Sequence, residues 1–285
     1  MNRRVFFSCV LLCSACLWTA PPRLFAQATE AQVQLSREQM EEFLRTARIV
    51  RTRAIPRGIT APLRATLSDG SLTHDAQIQS HDEYRSQFQS IQGTELNFKD
   101  TYKFNIAAYR LDKIMDLQMI PVSVERRVQG KPAAMTWWID DVLMDETERM
   151  KQKIEPPDQD QWNRQMYLVR IFDQLIFNTD RNLGNLVIAK NWKIWMVDHT
   201  RAFRLLPTLR TPGNLVKSDR KLLAALRKLT LETLLPELQP YLTRQEVEAL
   251  LARRDLIVQL FDQTILEKGE GAVLYDFLEG NVSQR

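Results

Sequence analysis

Residues 161–177 constrain this chain more than any other stretch. Met166, Val169, Ile171, Phe172, Leu175 and Ile176 make a helix there too apolar for a surface element, so it must be the buried spine of a lobe. Directly after it the composition inverts, in the polar loop Asn178-Thr179-Asp180-Arg181-Asn182-Leu183-Gly184-Asn185. Leu186-Val187-Ile188, a turn at Lys190-Asn191 and Lys193 to Asp198 then read as a hairpin. Asn185 precedes the outgoing strand and Asp198 follows the returning one, so the pairing predicts that their side chains meet at one end, with Asp180 on the same loop. Oxygen donors converging in this way suit a hard cation, Mg²⁺ or Mn²⁺, held together with the phosphates of a nucleotide.

The rest of the chain supplies a setting for that loop. Ser36 with Gln39 forms a capping box for an amphipathic helix over 37–50. Leu63 to Leu67, a turn at Ser68-Asp69-Gly70 and a return through Ile78 read as a hairpin. A helix is predicted over 104–117, then strands at Val122 to Val124 and Met135 to Ile139 joined by Gln129-Gly130-Lys131. The acidic, proline-containing stretch from Asp140 to Asp160 separates this strand-rich half from a helix-rich one, with helices at Lys221 to Leu235 and Thr243 to Glu267. The fold class is therefore α+β, built as one sizeable core or two small lobes.

The amino terminus carries Arg3 and Arg4, an apolar run from Val5 to Leu17 and the triplet Ala26-Gln27-Ala28, the layout of a signal peptide cleaved after Ala28. Export to a periplasm or the extracellular space is the expectation, with no transmembrane segment left after cleavage. Cys9, Cys13 and Cys16 all lie inside this leader, so no disulfide framework is expected beyond it. The leader also holds three arginines and no acidic residue, so its loss lowers the net charge from +4 to +1. That value excludes a nucleic-acid-binding reading, and the pairs Arg126-Arg127 and Arg253-Arg254 read as solvated surface. Neither G-x-G-x-x-G nor G-x-x-x-x-G-K-[ST] occurs, and His74, His81 and His199 show no metal-site spacing. Trp137-Trp138 and Trp192/Trp195 alternate as packed strand residues do.

The five-residue interval from Asp180 to Asn185 is that of a kinase catalytic loop. N-T-D-R-N-L-G-N followed by V-D-H-T-R-A-F resembles the catalytic and metal-binding segments of the phosphatidylinositol 3-/4-kinase-like branch of the protein-kinase-like superfamily, related to Hip-type and secretory-pathway kinases. A-A-Y-R-L-D-K with Ile120-Pro121 resembles the small-lobe helix of that branch and the strand after it. The resemblance implies a bilobal kinase-like fold: a leader at 1–28, a helical segment at 29–54, a strand-rich small lobe at 55–145 and a larger helical lobe at 146–285. It also implies an ATP-dependent phosphotransferase, here an exported bacterial-type member, acting on a hydroxyl of a protein, lipid or small molecule. By the same resemblance Asp180 would orient or deprotonate the acceptor hydroxyl, Asn185 and Asp198 would bind metal, and Ser68-Asp69-Gly70 would cover the phosphates. Residues 137–140, Trp138 among them, would contact adenine.

The chain departs from that pattern at a lysine–glutamate pair that contacts phosphate, where Gln79 and Asn105 stand instead. Lys99 or Lys103 would have to replace the missing cation. Two alternatives follow from the departure: an exported pseudokinase-like binding module, and a kinase-fold enzyme that transfers a nucleotidyl group.

Overall fold

A computed structural model describes residues 35–55, 62–90 and 93–278; the leader 1–28 lies outside them. Helix α1 (Arg37–Thr46) starts on the Ser36/Gln39 capping box but stops short of residue 50. Ile49, Val50 and Thr52 are β-branched, and Arg48–Ala54 forms strand β1 instead, paired with β2 (Leu63–Ser68). Strand β3 (Thr73–Gln79) completes the expected hairpin.

A second hairpin, β4 (Asp82–Ser90) with β5 (Gly93–Thr101), is absent from the sequence reading. Its residues are mostly polar and exposed, Phe98 being the one large apolar side chain of β5 that is buried, so no apolar alternation marks it. Helix α2 (Lys103–Met115) follows as predicted; strands β6 (Ser123–Val128) and β7 (Lys131–Trp137) lie at the expected places but extend further toward their shared turn, and Trp138 and Ile139 fall outside β7. The antiparallel sheet runs β1-β2-β3-β7-β6.

Register decides what this sheet offers on each side. Ala65, Leu67, Ala76, Ile78 and Met135 are buried in one core with Phe43 of α1 and Leu111 of α2. The opposite face carries Arg64, Gln77, Thr136 and Ser123, which face one another across four strands.

The acidic stretch at 140–160 is not a bare linker: it holds β8 (Val142–Asp145) and α3 (Glu146–Gln152). Helix α4 (Gln159–Leu175) is the buried spine, with Trp162, Leu168, Val169, Ile171, Phe172 and Leu175 in the core. Strands β9 (Leu186–Ala189) and β10 (Ile194–Met196) form the expected hairpin, and β8 joins it to give the order β10-β9-β8. After β11 (Ser218–Asp219), the helix expected at Lys221 to Leu235 is two helices, α5 (Arg220–Lys228) and α6 (Leu231–Leu238). The break falls at Thr230, whose hydroxyl caps the second helix by accepting from Thr233 N. Helix α7 (Arg244–Lys268) has the Thr243/Glu246 capping box and ends at Gly269, at φ +80°; α8 (Glu270–Val273) and β12 (Leu274–Tyr275) close the described chain.

Neither arginine pair behaves as simple surface. Arg126 donates from Nη1 to the carbonyls of Leu44 and Ala47, closing the C-terminal end of α1. Arg253 is fully buried and donates to the carbonyls of Leu175, Arg204 and Leu206.

Candidate functional site

Between the polar face of the five-stranded sheet and the β9–β10 hairpin lies a cleft of about 620 Å³. Gln77, Gln79 and Thr136 line it from the sheet, Asn105 from α2, and Asn185 and Asp198 from the helical lobe. Asn185 and Asp198 meet here because the hairpin ladder continues one step past β9 and β10, with Val197 N donating to Asn185 O at 3.0 Å.

Arg181 locks that arrangement. Its Nη1 donates to Asn185 O at 3.0 Å and to Val197 O at 2.9 Å, while Nε reaches Asp173 Oδ2 of α4 at 2.9 Å. One guanidinium therefore joins spine, loop and hairpin, a use of its planar fork that lysine could not reproduce. A signal for it exists in the sequence, since Asp173 is a carboxylate set among Ile171, Phe172, Leu175 and Ile176 at the apolar end of the spine, where it needs a partner.

Asn185 Nδ2 donates to Asp180 O at 3.2 Å, which leaves Oδ1 as the group that can face a cation. Asp198 takes φ +55°, and Thr200 Oγ1 donates to its Oδ1 at 3.1 Å. The carboxylate is reached by solvent from the cleft, yet protein surrounds it on the other sides. This desolvation raises its pKa above the ordinary aspartate value, against the Thr200 hydrogen bonds, and the charges of Asp100 and Asp180 add to the rise. A bound cation would reverse that cost. Among the described residues no cluster of three or more His, Cys, Asp or Glu is placed to hold a metal. With one amide oxygen and one carboxylate to offer, Asn185 and Asp198 fit an ion that takes its remaining ligands from phosphate and water, as Mg²⁺ does.

His199, the next residue, is buried and has a structural part. Burial and the nearby Arg181 push its pKa well below the usual histidine value. Arg181 Nη2, which can only donate, lies 3.0 Å from Nε2, so the neutral ring carries its proton on Nδ1. Its backbone N–H donates to Asn105 Oδ1 at 2.7 Å, and Asn105 Nδ2 donates to Gln79 Oε1 at 2.6 Å. The two residues at the departed positions are thus paired, and their amides stitch β3, α2 and the Asp198 segment together without charge.

The other expected contacts fall elsewhere. Asp100 of β5 turns toward the site, so strand alternation turns Lys99 away, where its Nζ pairs with Glu246 at 2.6 Å. Lys103 pairs with Asp82 at 2.9 Å, and both lysines line a separate groove of about 760 Å³ between the β4–β5 hairpin and the α6–α7 connection. Neither supplies a cation to the cleft. Ser68, Asp69 and Gly70 sit at the far end of β2 from Pro62, which lines the cleft. The Asp69 carboxylate already accepts from Ser71 N at 2.9 Å and Leu72 N at 2.8 Å, bonds that hold it below the usual aspartate range. The connection at the cleft end is the β1–β2 one, whose residues 56–61 lie outside the described chain. Trp138 does not line the cleft: its N–H goes to Asp75 O at 3.1 Å, and the Arg64 guanidinium stacks 4.0 Å from its ring.

The architecture has solved counterparts. A hydra Fam20 structure with sugar superposes with a TM-score of 0.63 at 16% identity, over 84% of this chain and 92% of that one. The fold is kinase-like. A Golgi casein kinase gives 0.58 at 12% identity over 84% and 79% of the two chains. The Helicobacter pylori proinflammatory kinase CtkA gives 0.52 at 8% identity over 79% and 98%. No protein-family model and no curated protein matches the sequence.

Proposed function

We propose that the protein is an ATP- and Mg²⁺- or Mn²⁺-dependent phosphotransferase of the phosphatidylinositol 3-/4-kinase-like type, acting on a hydroxyl outside the cytoplasm. The observation that carries this reading is the convergence of Asn185 and Asp198 on one cleft, with Asp180 tied to Asn185 by its backbone carbonyl. A Golgi casein kinase of this fold has been solved with Mn and ADP bound, which supports a metal-nucleotide in the same position here. In this reading Asn185 Oδ1 and the Asp198 carboxylate hold the cation, which neutralises phosphate charge. Asp180, half-exposed at the loop, aligns the acceptor hydroxyl and takes its proton as the oxygen bonds to the γ-phosphorus and ADP departs. The Met1–Ala28 leader supports the extracytoplasmic setting, and among the described residues no helix is long and apolar enough to cross a membrane.

Binding of Mn²⁺ and ADP, measured by calorimetry on the wild type and on Asp198→Ala, tests the site. Wild-type binding that weakens at least about tenfold in the variant is expected, the effect of losing one charged ligand. Equal, negligible binding by both proteins counts against the site.

A second reading is favoured by the neutral Gln79–Asn105 pair and by Lys99 and Lys103 being spent elsewhere. With no lysine on the phosphates, the chain would act as a nucleotide-binding module or transfer a nucleotidyl unit. Mass spectrometry after incubation with ATP separates the outcomes: a gain of about 80 Da is phosphoryl transfer and about 329 Da is AMP. No gain, with binding intact, leaves the module.

A further inference from the structure

We infer that Asp100, on the inserted β4–β5 hairpin, is a positioning residue that keeps Asp180 free by taking up the charge of Arg201. This rests on the phosphotransferase reading of Asp180. Asp100 is 2% exposed, and Arg201 Nε donates to its Oδ2 at 2.7 Å. The same guanidinium places Nη1 3.7 Å from Asp180 Oδ2, beyond hydrogen-bond reach. Arg201 thus stands between two carboxylates and is bonded to only one.

Its backbone cannot drift. Thr179, the residue before Asp180, donates from N and Oγ1 to Arg201 O at 3.3 and 2.8 Å, and Thr101 N donates to Thr200 O at 3.0 Å. What remains adjustable is the side chain, and the buried acid wins it. Asp100 Oδ1 has no hydrogen-bond partner, His81 Nε2 standing 3.9 Å away, and Arg201 is the guanidinium hydrogen-bonded to the Asp100 carboxylate, with Arg204 adding a further charge nearby. Were Asp100 neutral, the guanidinium would turn to Asp180, the other carboxylate that stands within 4 Å of it among the described residues. Asp180 would then be held in a charge-assisted pair and lose the lone pairs an acceptor hydroxyl needs. Arg204 fixes the hairpin in place by donating to Lys99 O at 2.6 Å, while Lys99 pairs with Glu246.

The test compares Asp100→Asn, Asp100→Glu, Arg201→Gln and Asp100→Asn/Arg201→Gln in the full chain, by crystallography, Mn²⁺–ADP binding and phosphoryl transfer. Asp100→Asn is expected to bring Arg201 within hydrogen-bond distance of Asp180 and to lower kcat about tenfold or more, while KM for ATP and Mn²⁺–ADP affinity, which feel the lost charge only through Asp198, change by much less. Asp100→Glu should keep most of the activity. The double variant should recover to the level of Arg201→Gln, a rescue that a merely structural role would not produce. An unchanged Arg201–Asp180 separation in Asp100→Asn, an unchanged kcat, or a double variant worse than either single one overturns the inference. A wild type that transfers no phosphate, while the Asp100→Asn crystal shows the contracted pair, supports the partition of Arg201 and rejects the phosphotransferase reading instead.

Discussion

Asp198 and His199 are neighbours whose titrations oppose each other. The Asp198 pKa is raised in the folded chain, so the native state binds a proton at higher pH than the unfolded one, and its ionised form costs stability. Asp198→Asn should therefore raise the urea midpoint of the metal-free protein, by a small amount because the carboxylate is open to solvent in the cleft, while weakening Mn²⁺–ADP binding at least about tenfold. Urea denaturation with and without Mn²⁺–ADP checks both halves. His199 works the other way: its pKa is depressed, so below the ordinary value near 6.5 the unfolded chain takes up a proton that the native chain refuses. Stability should then fall with acidification below about pH 6.5 by up to ~1.4 kcal/mol per pH unit from this group. Replacing it by glutamine should flatten that part of the profile of denaturation midpoint against pH. At this scale the sequence was informative where backbone pairing decides the outcome. Asn185 and Asp198 follow from a hairpin ladder, whereas Gln79 and Asn105 were singled out only by the family resemblance, which aligns them with a charged pair. Lys99 was not legible, because its direction depends on β5, a strand with no apolar signature.

Elements were readable wherever burial imposes a period and obscure wherever polar groups build the structure. Helix α4 and the β2–β3 hairpin show their apolar faces in the sequence, whereas the β4–β5 arm is held by Lys99–Glu246, Arg201–Asp100 and Arg204 bonds that no window of residues displays. The end of α7 shows how such an arm is anchored. Glu246 Oε2 accepts from Thr243 N at 2.7 Å as half of a capping box, while its Oε1 accepts from Lys99 at 2.6 Å. One carboxylate thus starts a helix and fastens a hairpin. Thr243→Ala removes only the cap, with an expected loss of about 1 kcal/mol. Glu246→Ala removes both, leaving Lys99 unpaired beside a buried helix end, and should cost roughly 2–3 kcal/mol. Equal losses in urea denaturation would show that the hairpin contact contributes nothing.

At the scale of the whole molecule, three separate parts of the helical lobe share one cation. Arg253 of α7 has no carboxylate among the partners of its donors; it binds the carbonyl of Leu175 at the end of the spine at 2.8 Å, and those of Arg204 and Leu206 at 2.8 and 2.6 Å. Burial lowers its pKa to about 10, so it stays charged at neutral pH while the carbonyl dipoles take the place of a counter-ion. Composition suggests surface for an Arg-Arg pair because arginine is rarely fully buried. Three convergent carbonyl oxygens can override that tendency, and their convergence is a property of the tertiary fold alone. Arg253→Met preserves apolar volume and relieves the buried charge but strands all three acceptors, each at about 1 kcal/mol or more, so a net loss of roughly 2–4 kcal/mol is expected. Because Leu175 leads into the Asp180 loop and Arg204 follows Arg201, the damage should not stop at stability. Amide hydrogen exchange should rise in both 176–185 and 199–207 in this variant, with α1 and the five-stranded sheet unchanged. Faster exchange confined to α7 would mean that Arg253 holds its own helix and not the site.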